Sequence, residues 1–241
     1  MGPMSPPPRR DLPEYLDTPG QDPQELWGLL QDIRRTNRRF GGRRLIVDYL
    51  RQFLPALPAR PLRLLDVATA SADIPCAIAS WAQEASVAVS ITALDMSADI
   101  LAHAAHDTAR FPKIALMRGD ARALPFSDHA YDVVICGLAM HHFTFADGVR
   151  VLREIDRVAR GAFVVNDVIR SWGAYAGAWL DTRLLSRNRL SRHDGPLSVL
   201  RSFTPGEFRA MAEAAGLRHV TLHHHPMFRV ALVRAPSGGG A

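Results

Sequence analysis

Apolar residues follow two different periods along the chain. Residues 23–40 carry them at helical spacing as far as a Gly-Gly pair, and a second helix is predicted over about 43–54. Beyond residue 60, short apolar runs alternate with helical segments. These runs predict five strands, "LRLLDV", "VSITALD", "KIALMRGD", "YDVVICGL" and "GAFVVNDVI".

The alternation of strand and helix favours a parallel sheet with helices on both faces, because the strands are apolar on both sides. After the capped helix "TPGEFRAMAEAAG", two strands around Pro226 predict an antiparallel hairpin. The predicted fold is α/β: a Rossmann-like, doubly wound, mostly parallel seven-stranded sheet with a C-terminal antiparallel hairpin and a small helical lid. Asp73, Ser97 and Asp147 are predicted to open three of its helices.

The chain divides into segments of different composition. Residues 1–22 are rich in proline and polar residues, and we expect a disordered or loosely attached lead. The helices of residues 23–57 are expected to form part of a lid. Residues 58–235 form the sheet domain, with a helical insert at 171–203 that completes the lid, and residues 236–241 are expected to be a flexible tail.

Composition narrows the class of protein. The 241 residues are 47% hydrophobic, which suits one domain with one sizeable core. Apolar runs are too short for a membrane span and the N-terminus lacks the apolar core of a signal peptide, so we expect no stable membrane insertion. Cys76 and Cys136 have neither a metal-binding spacing nor a disulfide framework. They are predicted to be buried free thiols in a cytoplasmic protein.

The net charge of +5 comes almost wholly from arginine, because Lys113 is the single lysine. The arginines are spread along the chain rather than gathered into an arm, so no nucleic-acid partner is expected. One cluster, "RRTNRRFGGRR" at residues 34–44, is denser. It is interpreted as a solvated helix face beside a turn, with an acidic partner or membrane headgroups as the alternative.

Candidate ligand-binding residues follow the strands, because a doubly wound sheet binds ligands at the carboxyl ends of its strands. The first strand leads through Asp66 into a loop of small residues, 68–72. The second ends at Asp95, a carboxylate placed to accept hydrogen bonds from ribose hydroxyls. The third is followed by Asp120 and the fourth by a pair of histidines.

Four motifs in this order and spacing resemble the class I S-adenosylmethionine-dependent methyltransferases. They are "LLDVATASAD", "ITALDMSADIL", "GDARALPF" and "YDVVICGLAMHHF", and the resemblance covers residues 61–235. More narrowly, the chain resembles the ring methyltransferases of ubiquinone and menaquinone and those of bacterial aromatic polyketides. A nicotinamide-dependent enzyme would need a G-x-G-x-x-G loop, which is absent from this sequence.

The resemblance implies S-adenosyl-L-methionine as the cofactor and assigns its contacts by position. Asp66 and the 68–72 loop would face the methionine part, Asp95 the ribose, Asp120 with Ala121 the adenine, and the residues around Gly137 the amino-acid end. Asp95 is an acid at the end of an apolar strand, a position where the fold has no obvious structural need for a carboxylate. The candidate cofactor-binding residues are Asp66, Ala68, Ala70, Ala72, Asp95, Met96, Asp120, Ala121 and Gly137.

The opening loop departs from the family pattern, which expects glycine at 68, 70 and 72. Alanine in a left-handed conformation costs about 1–2 kcal/mol per residue. A few kcal/mol would weaken donor binding by about two orders of magnitude. Ala70 is the unusual substitution, since related ring methyltransferases tolerate alanine at the other two places.

Methyl transfer to a phenol needs a base, and histidine is the natural candidate near neutral pH. His141 and His142 follow the fourth strand, where they serve either as the base or as packing beneath the acceptor. His193, with Asp194 beside it, is a third candidate, although "HDG" also fits a turn. The candidate catalytic residues are His142, His141 and His193.

No metal site is predicted. Alternation along a strand separates the three histidines at 223–225, and no acidic partner is near them in sequence. Trp27, Trp172 and Trp179, in the predicted lid, suit either an aromatic acceptor or a packed helical core.

The sequence therefore predicts a methyltransferase that acts on a small aromatic or lipophilic, polyketide-like acceptor. A phenolic oxygen is favoured over ring carbon as the methylated atom. The alternative is a protein of the same fold that has lost methyl transfer, as a non-catalytic partner or with a non-methylating activity. The sequence leaves open whether the protein forms a homodimer.

Overall fold

A single mixed sheet forms the centre of the computed structural model, which describes residues 5–58 and 60–236. Its strands are β1 Leu62–Val67, β2 Val89–Asp95, β3 Ile114–Arg118, β4 Tyr131–Gly137, β5 Ala159–Val168, β6 Thr221–His225 and β7 Arg229–Arg234. Their order across the sheet is β3-β2-β1-β4-β5-β7-β6. Strands β1 to β5 run parallel, whereas β7 pairs antiparallel with β5 and β6, so the predicted fold is confirmed.

Helices cover both faces of the sheet. Within the described residues they are α1 Pro23–Arg39, α2 Gly42–Phe53, α3 Asp73–Glu84, α4 Ala98–Thr108, α5 Phe145–Val158, α6 Trp172–Leu185, α7 Arg189–Arg201 and α8 Pro205–Ala214. None of these helices is long and apolar enough to cross a membrane. The helices α6 and α7 occupy the predicted insert at 171–203, and residues 237–241 of the predicted tail lie outside the described part of the chain.

Adjacent residues of one strand bury their side chains on opposite faces, as the period of a strand requires. Leu64 packs with the face that α2 and α3 cover, and Leu65 packs with the face that α5 and α8 cover. Both leucines are fully buried, and each contributes about 1.5–3 kcal/mol to folding. Cys76 and Cys136 are free and buried within these layers, as predicted.

Helix starts agree with the sequence where a hydroxyl precedes the helix. Ser97 caps α4 by accepting a hydrogen bond from the backbone N–H of Ile100, and Thr204 caps α8 in the same way. The prediction that Asp147 opens α5 is wrong, because Thr144 is the cap and accepts the N–H of Asp147 at 3.1 Å. Asp147 lies one turn inside the helix, where its charge still favours the N-terminus.

The terminal hairpin turns through Pro226, Met227 and Phe228. Met227 and Phe228 both have positive φ, 61° and 57°, which is the geometry of a tight hairpin turn. On β6, the predicted alternation of the histidines is confirmed, since His223 and His225 both approach the ring of Tyr49.

Residues 5–22, here called the N-terminal strap, contradict the predicted disordered lead. The guanidinium of Arg9 donates to the carbonyls of Arg201 and Phe143, at 2.7 and 2.8 Å. The backbone N–H groups of Tyr15 and Leu16 donate to the buried carboxylate of Asp194. The prediction failed because these anchoring partners lie about 130–190 residues away along the chain.

The arginine cluster at 34–44 is largely occupied by acids of the same chain. Arg34 pairs with Asp107, Arg35 with Asp32, Arg39 with Asp181 and Arg43 with Asp73. The pair of Arg35 and Asp32 lies within α1, and the other three join α1 and α2 to α3, α4 and α6. The cluster therefore serves mainly to hold the lid on the sheet. The turn between α1 and α2 contains Gly41, whose φ of 78° suits glycine.

Arg170 links the strap to the rest of the fold. Its side chain is almost fully buried, donates to both carboxylate oxygens of Glu207 at 2.6 and 2.7 Å, and donates to the carbonyls of Pro7 and Ser202. Four acceptors therefore depend on one guanidinium.

We expect Arg170→Met to lower the free energy of unfolding by about 2 kcal/mol or more. The substitution removes the donor that the two backbone carbonyls and the Glu207 carboxylate share. Urea denaturation measures this loss. The control is Arg150→Met, since Arg150 is exposed and pairs only with Asp147 one turn earlier, and it should cost less than about 0.5 kcal/mol. Equal losses in the two variants would contradict this assignment.

Candidate functional site

One large cavity of about 1130 Å³ opens at the carboxyl ends of β1, β2 and β4. The strap, α1, α6 and α7 close it from above. Doubly wound sheets bind ligands at this edge, so the cavity lies where the sequence places it. Of the candidate cofactor-binding residues, all but Ala72 line it.

The loop after β1 has an unusual backbone. Ala68, Ala70 and Ala72 have φ of 56°, 48° and 53°, all in the left-handed region that favours glycine. The positions at which the sequence analysis expected glycine are therefore the positions that need its freedom. The alanines keep this geometry at a cost of about 1–2 kcal/mol each to folding.

The methyl groups of these alanines face apolar neighbours. Ala70 packs against Leu26 and Leu30 of α1 and Ile100 of α4. Ala72 is fully buried among other small residues, which explains why it does not line the cavity. These contacts offset part of the backbone strain, since each buried methyl group contributes about 0.8 kcal/mol.

Asp95, at the end of β2, holds the loop in place. Its Oδ2 accepts the backbone N–H of Ala70 at 2.9 Å, and its Oδ1 accepts the N–H of Ser97 at 3.0 Å. Burial raises its pKa, and these two N–H groups oppose that rise. The expectation that Asp95 lacks a structural need is wrong, because the carboxylate joins the strained loop to the start of α4.

Asp66, at the end of β1, is buried and accepts the hydroxyl of Thr69 at 2.5 Å. Burial raises the pKa of Asp66 to about 8, and the hydroxyl only partly offsets that rise. The carboxyl group is therefore largely protonated near neutral pH.

Four further candidates lie around the cavity. Met96 is exposed at its edge, and Ala121 is buried in its wall. Asp120 pairs with Arg122 at 2.8 Å, and this pairing lowers its pKa. At Gly137 a Cβ atom would lie 2.7 Å from the end of the Ile74 side chain, so any larger residue would require that side chain to shift.

Asp73 does not cap α3 as predicted. Residue 72 is the N-cap and gives no side-chain hydrogen bond, while the carboxylate of Asp73 accepts the guanidinium of Arg43 at 2.8 Å and the amide of Asn37 at 3.3 Å. Through these contacts Asp73 joins the start of α3 to α1 and α2.

The two histidines after β4 each meet a carboxylate. His141 is buried, with its Nδ1 2.9 Å from Oδ1 of Asp167, and His142 is partly exposed to the cavity, with its Nδ1 2.7 Å from Oδ1 of Asp17. Although burial opposes it, the charge and hydrogen bond of His141 lower the pKa of Asp167. Both imidazoles are therefore oriented through Nδ1, which leaves Nε2 for other partners.

His193 lies apart from this pair. Its Nδ1 is 2.8 Å from Asp194, as the predicted base and acid require, but its ring packs on Tyr15 and does not line the cavity. The tryptophans named as acceptor contacts, Trp27, Trp172 and Trp179, likewise do not line it.

Sequence reasoning missed Glu14, which belongs to the strap. Its side chain is 2% exposed, lines the cavity, and brings Oε1 to 3.8 Å from Nε2 of His141. Burial raises the pKa of Glu14 to about 7. The available signal was "PEYLD", an acid directly before two apolar residues inside a polar lead.

Arg229, at the start of β7, also lines the cavity and was not predicted. It is 5% exposed, and within residues 5–58 and 60–236 no carboxylate lies within 4.0 Å of its guanidinium. Its Nη1 lacks a hydrogen-bond partner there as well. Burial lowers the pKa of Arg229.

Comparison with known proteins shows what the chain is similar to. Residues 65–161 match a protein family described as "Methyltransferase domain". A solved structure of a SAM-dependent methyltransferase from Aquifex aeolicus shares the fold, with a TM-score of 0.62 and 14% identity over 89% of this chain and 98% of that one. The chain therefore has the fold of these enzymes, and its residues 65–161 are similar to the methyltransferase family that the motifs resemble.

Curated relatives match over shorter stretches. An uncharacterized protein of Escherichia coli, YafE, is 30% identical over 132 residues, which are 53% of this chain and 58% of the relative. The demethylmenaquinone methyltransferase of Staphylococcus epidermidis is 35% identical over 98 residues, which are 39% and 40% of the two chains. The chain thus spans about half the length of the curated relatives that it matches.

Asp66 makes stability depend on pH. The folded protein holds this proton up to about pH 8, whereas the unfolded chain releases it near pH 3.8. Unfolding therefore releases a proton between these values, and the free energy of unfolding falls as pH rises through the window.

We expect Asp66→Asn to remove most of this fall between pH 5 and 8, measured by urea denaturation at each pH. The slope at stake is at most about 1.4 kcal/mol per pH unit. The control is Asp48→Asn on α2, whose carboxylate is 41% exposed and should leave the slope as it is. A parallel pH profile for the wild type and Asp66→Asn would contradict the raised pKa.

Proposed function

We propose that the protein is an S-adenosylmethionine-dependent methyltransferase whose acceptor is a small aromatic or polyketide-like molecule, methylated at a phenolic oxygen. The observation that carries the proposal is the strained 68–72 loop, held by Asp95 at the edge of the sheet where this fold binds ligands. A loop without a ligand would gain stability from glycine or from a relaxed backbone.

The residues around the loop fit the donor. Each carboxylate oxygen of Asp95 accepts one backbone N–H and keeps further lone pairs, which suit the two ribose hydroxyls. Asp120 and Ala121 lie where the adenine is proposed, and Asp66 where the methionine part is proposed. When bound, the donor would supply a methyl group on a positively charged sulfur.

The alanines affect folding more than donor binding. The sequence analysis expected their strain to weaken the donor about a hundredfold. Because the left-handed φ values belong to the folded loop, we assign their cost to folding, and a donor that fits this backbone needs no rearrangement of it. The methyl of Ala70 packs toward α1, where it supports the lid.

The size and lining of the cavity favour a second, apolar ligand. Its volume of about 1130 Å³ exceeds the range of about 300–1,000 Å³ for single small ligands, so donor and acceptor fit together. The apolar wall comes from Leu180, Leu184 and Leu185 of α6 and from Met227 and Phe228 of the hairpin turn.

Arg229 favours an acceptor that brings negative charge. A buried guanidinium without a carboxylate partner is costly, and an anionic ligand would remove that cost. A phenolate meets this need, as does an acceptor that carries a carboxylate. Arg229 starts β7, two strands beyond β4, and this places it on the acceptor side of the proposed donor.

His141 and His142 are the proposed residues for activation of the acceptor oxygen. Asp167 and Asp17 fix the two imidazoles through Nδ1, and the remaining nitrogens can take up or hold the phenolic proton. We exclude His193 from this step because it does not line the cavity.

The proposed partner is a small molecule rather than nucleic acid, because the densest arginine cluster is paired within its own chain. The buried free thiols favour a reducing compartment, and we propose the cytoplasm.

Asp95→Asn tests the donor site. We expect it to weaken the binding of S-adenosylhomocysteine at least about tenfold in calorimetric titration, because residue 95 loses its charge and one of its acceptor oxygens. The control is Asp128→Asn, whose exposed carboxylate precedes β4 at the opposite edge of the sheet. Absence of binding by the wild type at millimolar ligand would overturn the proposal and favour a protein of this fold that has lost methyl transfer.

Ala70→Gly tests where the strain acts. We expect it to tighten the binding of S-adenosylhomocysteine by less than about threefold in the same titration, because the loop has its binding conformation in the folded protein. Ala70→Val, by contrast, should lower the free energy of unfolding by about 1 kcal/mol or more, since a branched side chain disfavours left-handed φ. Tightening of about tenfold or more in Ala70→Gly would show that the strain opposes binding.

A further inference from the structure

Three side chains with metal-binding atoms meet beside the cavity. Glu14 of the strap offers a carboxylate oxygen, and His141 and His142 each offer an imidazole nitrogen, all within 4.8 Å of one another. The strap and the turn after β4 are about 130 residues apart in sequence, so tertiary packing alone creates this cluster.

Each histidine is oriented in the way that metal-binding histidines are. Nδ1 of His141 lies 2.9 Å from Asp167, and Nδ1 of His142 lies 2.7 Å from Asp17. Carboxylates that accept the second ring N–H fix the tautomer and make the other nitrogen a better ligand. Two such pairs side by side leave Nε2 of both rings for a shared ion.

One oxygen of the buried Glu14 carboxyl group lacks a partner. The side chain is 2% exposed, and within the described chain its Oε1 accepts no hydrogen bond. The nearest basic nitrogens, Nε2 of His141 and Nη1 of Arg201, are both 3.8 Å away, beyond hydrogen-bond distance. An ionised carboxylate with a buried, unpartnered oxygen is costly, and a cation bound to that oxygen would remove the cost.

The side chains around the cluster are mostly acidic. Three carboxyl groups, those of Glu14, Asp17 and Asp167, lie within 4.0 Å of the two imidazoles, whereas one guanidinium, that of Arg201, pairs with Asp17. This surplus of acids favours a cation.

We propose that Glu14, His141 and His142 bind a divalent transition-metal ion such as Zn²⁺. Two histidines and one carboxylate form a ligand set that leaves positions open for water or an acceptor oxygen. The three ligand atoms lie within 4.8 Å of one another, and Oε1 of Glu14 lies 3.8 Å from Nε2 of His141. The sequence predicted no metal because it offered only the histidines at 223–225, with no acidic partner near them. Glu14, in the segment assigned to disorder, was not among the candidates.

The ion would lie on the acceptor side of the proposed donor site. A metal-bound oxygen loses its proton to water more readily, so with the ion present the metal, and not the free Nε2 atoms, would activate a phenolic acceptor. Binding of the ion itself does not depend on methyl transfer, so it is measurable without donor or acceptor.

The test is a titration of chelator-treated protein with Zn²⁺ by calorimetry, together with elemental analysis after dialysis. We expect one equivalent per chain with micromolar or tighter affinity. Glu14→Gln and His142→Asn should each weaken it at least tenfold, and Zn²⁺ should raise the melting temperature of the wild type but not of these two variants. Melting without metal checks that both variants fold.

His223→Asn is the matched control, because the exposed His223 lies beside the half-buried His225 on β6, the natural place for adventitious Zn²⁺. It should retain the tight equivalent. Three results would overturn the proposal: no tight equivalent in the wild type, its loss in His223→Asn, or its persistence in Glu14→Gln.

Discussion

The hydrogen bond from the backbone N–H of Ala70 to Asp95 is the contact on which the site depends. It holds a loop with three left-handed alanines against the end of β2, where relaxation would otherwise recover about 1–2 kcal/mol per residue. The same carboxylate accepts the N–H of Ser97 and so fixes the start of α4. Loop, strand end and helix start therefore form one unit, and the cavity opens directly above it.

The lid is attached to this unit by ion pairs as well as by the small apolar cluster of α1, Ala70 and Ile100. Arg43 on α2 pairs with Asp73 at the start of α3, while Arg170 and Arg201 hold the strap over the turn after β4. The strap in turn carries Glu14 and Asp17 to the two histidines. The strap thus both covers the cavity and supplies polar groups to it. It is therefore part of the site.

The sheet could be predicted closely from sequence because its signals are local. "LRLLDV" and "VSITALD" coincide with β1 and β2, since apolar runs with flanking small residues mark buried strands. Positive φ at residues 68, 70 and 72 could be predicted too, because the motif around Asp66 fixes the turn. These features depend on a few neighbouring residues.

What could not be predicted depends on distant partners. Glu14 is buried only because Tyr15 and Leu16 meet Asp194, which lies about 180 residues away along the chain. Asp73 does not cap its helix because Arg43 and Asn37 compete for its oxygens. The tryptophans point away from the cavity, since composition says nothing about which face of a helix is covered.

A crystal structure with S-adenosylhomocysteine tests the central claim most directly. The account predicts that the ribose hydroxyls donate to Asp95 and that φ at Ala68, Ala70 and Ala72 stays within about 20° of the present values. A ligand bound elsewhere, or a loop that moves to admit it, would contradict the claim that the strained loop is already formed for the donor.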